Sequence, residues 1–434
     1  MTEIPDPEEL IDSPPTEDGA AVGGGGKHDP YAALRFRDYC FFAVGSFLAG
    51  MGSNMQSVAV GWELYERTSS AMALGWVGMV QALPIMLLAL PAGQLADRWD
   101  RRRIILACQM AAVLCSVGLA VVSFLQGPVE WMYILLLLGA VGRAFLWPAS
   151  QALMPSLVPK EIFSNAVTWK STSFQIASVA GPALGGLLIA WHKTALWVYV
   201  IDAVMMLANV CFIYVIRPPK MSRQAGAATL KTLVAGFHFV WRTKLVMAAI
   251  TLDLFAVLLG GAAALLPVYA KDILHVGPTG LGWLRAAPSV GALVMAIALS
   301  HMPPMRRAGR ALLGAVALFG VTMVVFGFST CFWLSLLALA LSGAADNISV
   351  VVRHSLVQLR TPDEMRGRVS AVNSVFISAS NELGSFESGL VAQYFGPLIS
   401  VVSGGLGTIV VVALVMTIWP EIRRLGSLQD EARE

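Results

Sequence analysis

Twelve long apolar runs occupy most of the sequence between residues 39 and 418. Each run can form a helix of about 20 residues, which is the length needed to cross a hydrocarbon core of roughly 30 Å. The runs lie near residues 39–62, 73–96, 104–126, 131–152, 166–190, 194–216, 245–268, 280–300, 311–328, 332–354, 368–392 and 398–418. Since helices satisfy their own backbone hydrogen bonds in lipid, the sequence predicts an all-α membrane protein with twelve transmembrane helices.

The composition excludes several other classes of protein. Only 13% of the residues are charged, whereas a soluble domain carries about 25%, so most of the surface must face lipid. Soluble enzymes and nucleic-acid binders are therefore disfavoured. The sequence contains no GxSxG, HExxH or complete P-loop, which are motifs of hydrolases, metalloproteases and nucleotide-binding proteins. We expect no enzymatic activity, no cofactor and no metal site.

Basic residues predict which side of the membrane each loop occupies. The loops after the odd-numbered helices hold only Arg67, Lys193 and Lys271, while the other loops and the ends hold many more. Positively charged loops stay in the cytoplasm, so both ends are expected there. Residues 1–34 are rich in acids, Pro and Gly and are predicted to form a disordered cytoplasmic tail. Residues 420–434 are predicted to form a second cytoplasmic tail.

Internal repeats divide the membrane part into two units of six helices, residues 35–216 and 245–419. Residues 158–161 (VPKE) recur as 361–364 (TPDE), and residues 74–76 (LGW) recur as 281–283. Gly181 and Gly186 recur as Gly384 and Gly389. Such parallel repeats are typical of transporters that alternate between two open states. The linker between the units, residues 217–244, is predicted to contain an amphipathic helix around residues 230–241.

Residues 93–103 (GQLADRWDRRR) lie between the second and third helices. They strongly resemble the signature loop of the major facilitator superfamily. The resemblance implies a latch at the cytoplasmic gate, in which Gly93 allows close helix packing and Asp97 binds a helix N-terminus or an arginine. The basic residues of this loop complete the motif: Arg98, Arg101 and Arg102.

Residues 177–186 (ASVAGPALGG) in the fifth helix are similar to the motif that marks antiporters within this superfamily, although Ala177 stands in place of its first glycine. Its small residues allow close helix contact, and its proline permits a bend. The residues that carry this similarity are Gly181, Pro182, Gly185 and Gly186.

Three further segments narrow the resemblance: residues 151–161 (QALMPSLVPKE), 265–270 (LLPVYA) and 365–369 (MRGRV). They look like bacterial enterobactin-exporter-like efflux proteins, also called transmembrane secretion effectors, and the likeness covers nearly all of residues 35–420. It implies efflux of a small molecule, siderophore-like or lipophilic and drug-like, across the bacterial inner membrane. Because members of the family differ in cargo, the particular substrate does not carry over.

Charged residues within membrane helices are candidates for coupling transport to protons, because each costs at least about 2.5–3.5 kcal/mol to insert. The acids are, in order of preference, Asp346, Asp253, Glu382 and Glu387. Arg143 resembles a helix-four arginine of the superfamily that is proposed to assist proton transfer, and it is equally a candidate counter-charge. Asp202 is expected to pair structurally. Glu63 and Arg67 are read as boundary residues.

Two polar stripes accompany these charges. Ser342, Asp346, Ser349 and Arg353 follow helical spacing in the tenth helix, and Asn381 belongs to a similar serine-rich stripe in the eleventh. Either stripe can line a hydrated path or bond neighbouring helices.

Desolvation favours the neutral form of a carboxyl group, so an acid on a hydrated path can exchange protons near neutral pH. The leading interpretation is a monomeric proton antiporter whose partners are its small-molecule substrate, protons and lipid. Proton-coupled import and a non-transporting membrane receptor or scaffold are the alternatives.

Overall fold

The computed structural model describes residues 29–216, 237–260, 262–303 and 305–426. Twelve long helical segments follow one another within these ranges. The first six are α1 (Arg37–Thr68), α2 (Ala71–Arg98), α3 (Arg101–Phe124), α4 (Glu130–Leu153), α5 (Phe163–His192) and α6 (Leu196–Val215). The others are α7 (Lys244–Leu259), α8 (Gly277–His301), α9 (Ala308–Phe328), α10 (Phe332–Arg360), α11 (Asp363–Phe395) and α12 (Pro397–Ile418).

The seventh segment is interrupted, contrary to the continuous run predicted for residues 245–268. After α7 ends at Leu259, the chain forms a 3₁₀ turn (Ala262–Leu265), one short helical turn (Leu266–Val268) and a π turn (Tyr269–Ile273). Pro267 lies in this region and lacks a backbone N–H, which prevents one hydrogen bond of a regular helix. The break exposes the backbone carbonyl of Ala263 to a side chain of α8.

Ten helical stretches in the described ranges are long and apolar enough to span a membrane. The two long helices outside this set are α1 and α11, with 32 and 33 residues. Both are long enough to cross a bilayer, but they are less apolar because serine, asparagine, glutamine and charged residues interrupt them. Both helices line the cavity described below, which explains their polarity. The prediction of an all-α bundle of twelve transmembrane helices is confirmed.

The helices pack as two sets of six. In the first set, α1 contacts α5 and α6, α4 contacts α2 and α3, and α3 contacts α6. In the second, α10 contacts α8 and α9, α9 contacts α12, and α7 contacts α11 and α12. The main contacts between the sets are α2 against α11 and α5 against α8.

We call the side of the bundle with the α1–α2, α3–α4 and α5–α6 loops the distal face, and the side with both chain ends the terminal face. The two sets touch near the distal face, where Gly75 packs on Gly389 and Gly186 packs on Gly282. These two contacts are related by the sequence repeat, since Gly389 is the repeat of Gly186 and Gly282 the repeat of Gly75. Small residues permit such close backbone approach.

Helix α5 shows that the sets separate toward the terminal face. One face of its distal half is buried, including Gly181, Gly185 and Ile189. Its terminal half instead has exposed residues around most of its circumference, and Ser171 and Thr172 are among them. The described bundle is therefore closed at the distal face and open toward the terminal face.

Both ends of the described chain contain residues that pack on the bundle. Within the predicted tail 1–34, residues 1–28 lie outside the described ranges, but Ala32–Arg35 forms a 3₁₀ turn with Ala33 fully buried. The Pro30 carbonyl accepts hydrogen bonds from Asn165 and Trp169 of α5. At the other end, Ile422 is buried beneath α9. Each end is therefore held on the bundle by a buried apolar side chain, Ala33 or Ile422, within an otherwise polar segment.

Only the final part of the predicted amphipathic linker helix is described, since residues 217–236 lie outside the ranges above. Residues 237–242 are helical. Val240 is buried against Val246 and Val357, while Phe237 and Trp241 are exposed. One face of this segment therefore packs on the protein, and the other is apolar and exposed. An interfacial helix requires such an exposed apolar face.

Candidate functional site: a polar cavity between the two halves

A cavity of about 390 Å³ lies between the two sets of helices, below their distal contacts. It is bordered by α1, α2, α4, α8 and α11 and by the break that follows α7. Its polar and charged lining comprises Ser53, Asn54, Gln56, Ser57, Gln81, Arg143, Arg285, Asn381, Glu382 and Ser385. Such a volume is suited to a small organic molecule.

Glu382 is the acid of this cavity, and two arginines from opposite halves lie close enough to attract it electrostatically. Arg143 comes from α4 and Arg285 from α8. In the described residues Glu382 forms no ion pair with either arginine, and both guanidinium groups donate hydrogen bonds to other groups. Arg285 donates hydrogen bonds to Ser57 Oγ at 2.8 Å and to the Ala263 carbonyl at 3.4 Å. Arg143 donates to the side-chain oxygen of Gln81.

The predicted stripe of α11 contributes to the same cavity. Asn381 and Ser385 border it together with Glu382. Asn381 Nδ2 donates to the Ile377 carbonyl of its own helix at 2.8 Å, so its amide oxygen is left for other donors. Glu387 lies beyond this lining, and its carboxylate accepts a hydrogen bond of 3.4 Å from Ser388.

The predicted stripe of α10 lies elsewhere. Asp253 and Arg353 form a buried ion pair, with side chains 6% and 4% exposed. Asp346, which the sequence favours as the coupling acid, and Ser349 border a separate void of about 10 Å³ together with Asp253. Ser342 is buried, and its hydroxyl donates to the Leu339 carbonyl at 2.7 Å. The structure therefore does not place these residues in the central cavity.

Two residues or pairs of the first half have buried partners. Asp202 was expected to pair structurally, and in the described part of the chain its partners are the neutral side chains of Gln56 and Ser116. Glu63 and Arg67 were read as boundary residues, yet they form an ion pair with side chains only 7% and 14% exposed. Helical spacing of four residues brings them together.

The signature loop is partly described. Gly93 lies in α2, while the side chains of Asp97 and Arg98 are outside the described residues. Arg101 donates to the Ala152 carbonyl at 3.0 Å, and Arg102 donates to the Ile213 carbonyl at 3.1 Å and to the Tyr214 carbonyl. These carbonyls belong to the last turns of α4 and α6, which lack intrahelical donors. The two arginines thus connect α3 to both neighbouring helices.

The motif of the fifth helix forms close packing surfaces. A Cβ atom at Gly185 would lie 3.1 Å from Met55 Cα, and one at Gly181 would lie 2.9 Å from the Met51 carbonyl oxygen of α1. Gly186 faces α8 instead, where an added Cβ would collide with the Pro278 carbonyl. Pro182 is buried within α5. The motif therefore packs α5 against both halves of the bundle.

Arg285 was not among the residues singled out from the sequence. The rule that selected Arg143 applies to it equally, because Arg285 is a charge within the eighth apolar run. Gln56 and Gln81 also went unnoticed, and neither residue type is unusual enough in a membrane helix to attract attention without the structure.

Fold and cavity together define a multi-span membrane transporter of the major facilitator fold, not an enzyme. The chain belongs to the transmembrane secretion effector family, whose model matches residues 28–432. The Multidrug efflux pump Tap of Mycolicibacterium fortuitum is 27% identical, over 80% of this chain and 87% of that protein. The Enterobactin exporter EntS of Citrobacter koseri is 25% identical, over 87% of this chain and 91% of that protein.

Solved structures share the fold at lower identity. The nucleoside transporter NupG superimposes with a TM-score of 0.68 at 12% identity, covering 88% of this chain and 99% of that one. A bacterial homologue of the human lysosomal transporter Spinster, in an inward-facing and unoccupied conformation, gives a TM-score of 0.68 at 14% identity and covers 89% and 98%.

Proposed function

We propose that this protein exports a siderophore-like or lipophilic drug-like molecule across the bacterial inner membrane, in exchange for protons. The relatives named above support export of small molecules, because one is named as a multidrug efflux pump and another as an enterobactin exporter. The observation that carries the coupling proposal is Glu382, a carboxylate without an ion pair in the described residues, which borders the cavity between the halves.

The terminal face corresponds to the cytoplasm if positively charged loops lie inside. In that orientation the described conformation is open to the cytoplasm and closed toward the outside. This is the state in which an exporter takes up its cargo. Rocking of the two halves would then open the contacts Gly75–Gly389 and Gly186–Gly282, and would release the cargo on the other side.

Competition for Glu382 provides the coupling. An ionised carboxylate can accept hydrogen bonds from hydroxyl or amide groups of the cargo, whereas a protonated one has lost part of that capacity. Cargo and proton therefore exclude each other at the same oxygen atoms. The low dielectric of the site favours the neutral form and the two guanidinium groups favour the charged form, so both forms are accessible during the cycle.

Glu382 replaces Asp346 as the preferred coupling residue for geometric reasons. Asp346 is exposed on α10 and is not among the residues that line the central cavity; the void that it borders beside Asp253, of about 10 Å³, has no room for cargo. Asp253 already has a counter-charge in Arg353. Arg143 and Arg285 are proposed to hold Glu382 ionised when the cavity faces the cytoplasm.

The test uses purified protein in vesicles with an imposed pH gradient and a pH-sensitive dye inside. Labelled siderophores and lipophilic dyes are screened for movement against their own gradient, with protons moving in the opposite direction. Glu382→Gln is expected to abolish this uphill movement while thermal unfolding stays unchanged. Glu387→Gln is the matched control, because Glu387 lies on the same helix outside the cavity lining, and it should retain transport.

Three outcomes would contradict the proposal. Full uphill transport by Glu382→Gln would remove Glu382 from the coupling. Movement of protons and compound in the same direction would indicate symport. If no compound moves and yet several bind to the folded protein, a receptor or scaffold becomes the better interpretation.

A further inference from the structure

We propose that Asp202 is a second proton-binding site, enclosed within the first set of helices and connected to the central cavity through Gln56. Its side chain on α6 is fully buried. Oδ2 accepts hydrogen bonds from Gln56 Nε2 at 2.8 Å and from Ser116 Oγ at 2.6 Å. Oδ1 has no hydrogen-bond partner among the residues that the structure describes and lies against the backbone of Gly52 in α1.

Among the described residues no cation forms an ion pair with Asp202, whose hydrogen-bond partners are the neutral side chains of Gln56 and Ser116. The helices packed against α6 are α1, α3 and α5, and α3 carries no charged residue between Ile104 and Phe124. In the described residues the charged and titratable groups of the neighbourhood do not pair with Asp202. Glu63 is paired with Arg67, Lys170 and Arg143 donate to Gln151 and Gln81, and the side chains of Cys108, Cys115 and Tyr199 are neutral near pH 7. A buried carboxylate without a paired cation is costly, which favours the neutral acid.

The position of Ser116 allows Asp202 to be accommodated in both protonation states. Ser116 Oγ lies 2.6 Å from Asp202 Oδ2 and 3.1 Å from the Ala112 carbonyl, and one hydroxyl donates only one hydrogen bond. When Asp202 is ionised, Ser116 donates to it. When Asp202 is neutral, its own O–H donates to Ser116, whose hydroxyl then donates to Ala112. Gln56 donates to the carboxyl group in either state.

A second cavity of about 390 Å³ provides a route for the proton. It lies within the first half, and both Gln56 and Ser116 border it. Gln109 of α3 and Asn209 of α6 also border it. Gln109 lies seven residues from Ser116, and Asn209 lies seven residues from Asp202, which is about 10 Å along each helix. Their side-chain oxygens are buried without a hydrogen-bond partner among the described residues. Water can donate hydrogen bonds to such atoms where a cavity is polar and large enough to hold it. Gln56 and Arg143 border both this cavity and the central one.

The experiment measures the infrared C=O stretch of protonated carboxyl groups in the purified full-length protein, between about pH 5 and pH 9, where buried carboxyl groups titrate. A band from a protonated acid is expected in the wild type. Asp202→Asn should remove it, while Glu382→Gln and Asp346→Asn should leave it in place. The proposal is overturned if no band is present or if Asp202→Asn leaves every band unchanged.

A second measurement covers the case in which Asp202→Asn does not fold. In the wild type, selective ¹³C labelling of aspartate should shift the band, and Ser116→Ala should change its frequency because the hydrogen-bond partner is lost. A band that responds to neither change overturns the proposal.

The variant Gln56→Leu tests the route. After transfer of the protein into D₂O, the proton on Asp202 should exchange at least about tenfold more slowly in this variant than in the wild type. An unchanged exchange rate would remove Gln56 from the route. Because the infrared measurement does not require transport, it can support or overturn this proposal whether or not the proposed antiport is correct.

Discussion

Glu382 and Asp253 are both carboxylates in membrane helices of the second half, but their surroundings differ. Asp253 has a buried counterion, Arg353, and neither side chain is more than 6% exposed. Glu382 borders a cavity of about 390 Å³ and faces two guanidinium groups that bind other partners. A dedicated counterion fixes the charge state of an acid. We therefore base the proposed role of Glu382 on its position beside a cavity without an ion pair in the described residues, and not on burial alone.

Breaking the ion pair should have the largest effect on stability. Arg353→Met leaves the Asp253 carboxylate buried without a partner, and such a change costs about 3–5 kcal/mol. We expect a large drop in the thermal unfolding temperature of the detergent-purified protein. Arg306→Met is the matched control, because Arg306 is exposed, and it should unfold like the wild type.

The double variant Asp253→Leu/Arg353→Met separates loss of the pair from loss of packing. Replacing both charges by apolar groups of similar volume is often neutral, so most of the lost stability should return. If the double variant is as unstable as Arg353→Met alone, the cost comes from packing. The difference in stability between variants of Asp253 and Glu382 would then not come from their charges. Neutralising Glu382 is expected to leave stability unchanged.

Much of the fold was accessible from the sequence because lipid imposes a simple rule. Apolar runs of about 20 residues must become helices, and the repeats predicted two similar halves. The repeated glycines even mark the interface, since Gly186 and Gly389 occupy equivalent positions in the two distal contacts. The break after α7 was not predicted, because the residues around Pro267 are apolar without interruption and only the backbone is broken.

The site was less accessible because sequence spacing reports the face of a helix, not what that face meets. Helical spacing correctly grouped Asp346 and Ser349 with Arg353, but it did not show that this face packs near Asp253 rather than around the central cavity. In the same way, Glu382 was one of four candidate acids, and the sequence did not show that Arg143 and Arg285 lie near it. Arg285 in particular lies 97 residues from Glu382 along the chain, and only the folded structure brings them together.

Access to the central cavity should also distinguish Glu382 from Asp253. Gly186→Ala places a Cβ against the Pro278 carbonyl in the distal contact between α5 and α8. Overpacking of this kind costs about 1–3 kcal/mol, and here it acts only on the distally closed state. We expect a larger population open at the distal face. A Ser385→Cys probe in the cavity, in a background without the five native cysteines, should then react about tenfold faster from the distal side.

Gly139→Ala provides the control for this population shift, because no atom from another part of the described chain lies within 4 Å of the added Cβ. It should label at the wild-type rate. A probe placed beside the Asp253–Arg353 pair, at Ala256→Cys, should remain unreactive in all three proteins. Unchanged or slower labelling of the cavity in Gly186→Ala would show that the α5–α8 contact does not control access to Glu382.

The smallest effect is expected from the hydrogen bond that joins the halves at the distal end of α1. The Tyr65 hydroxyl donates to the Asp272 carboxylate in the π turn after α7. Tyr65→Phe removes this bond but keeps the ring that lies 5.6 Å from the Lys271 ammonium group. Because Asp272 is exposed, water can replace the lost donor, and the loss is limited to about 0.5–1.5 kcal/mol. Labelling of the cavity probe from the distal side should rise less than in Gly186→Ala. Tyr394→Phe, on the exposed distal end of α11, should have no effect. If Tyr65→Phe opens the distal face more than Gly186→Ala does, the polar contact rather than the glycine packing holds the cavity of Glu382 closed.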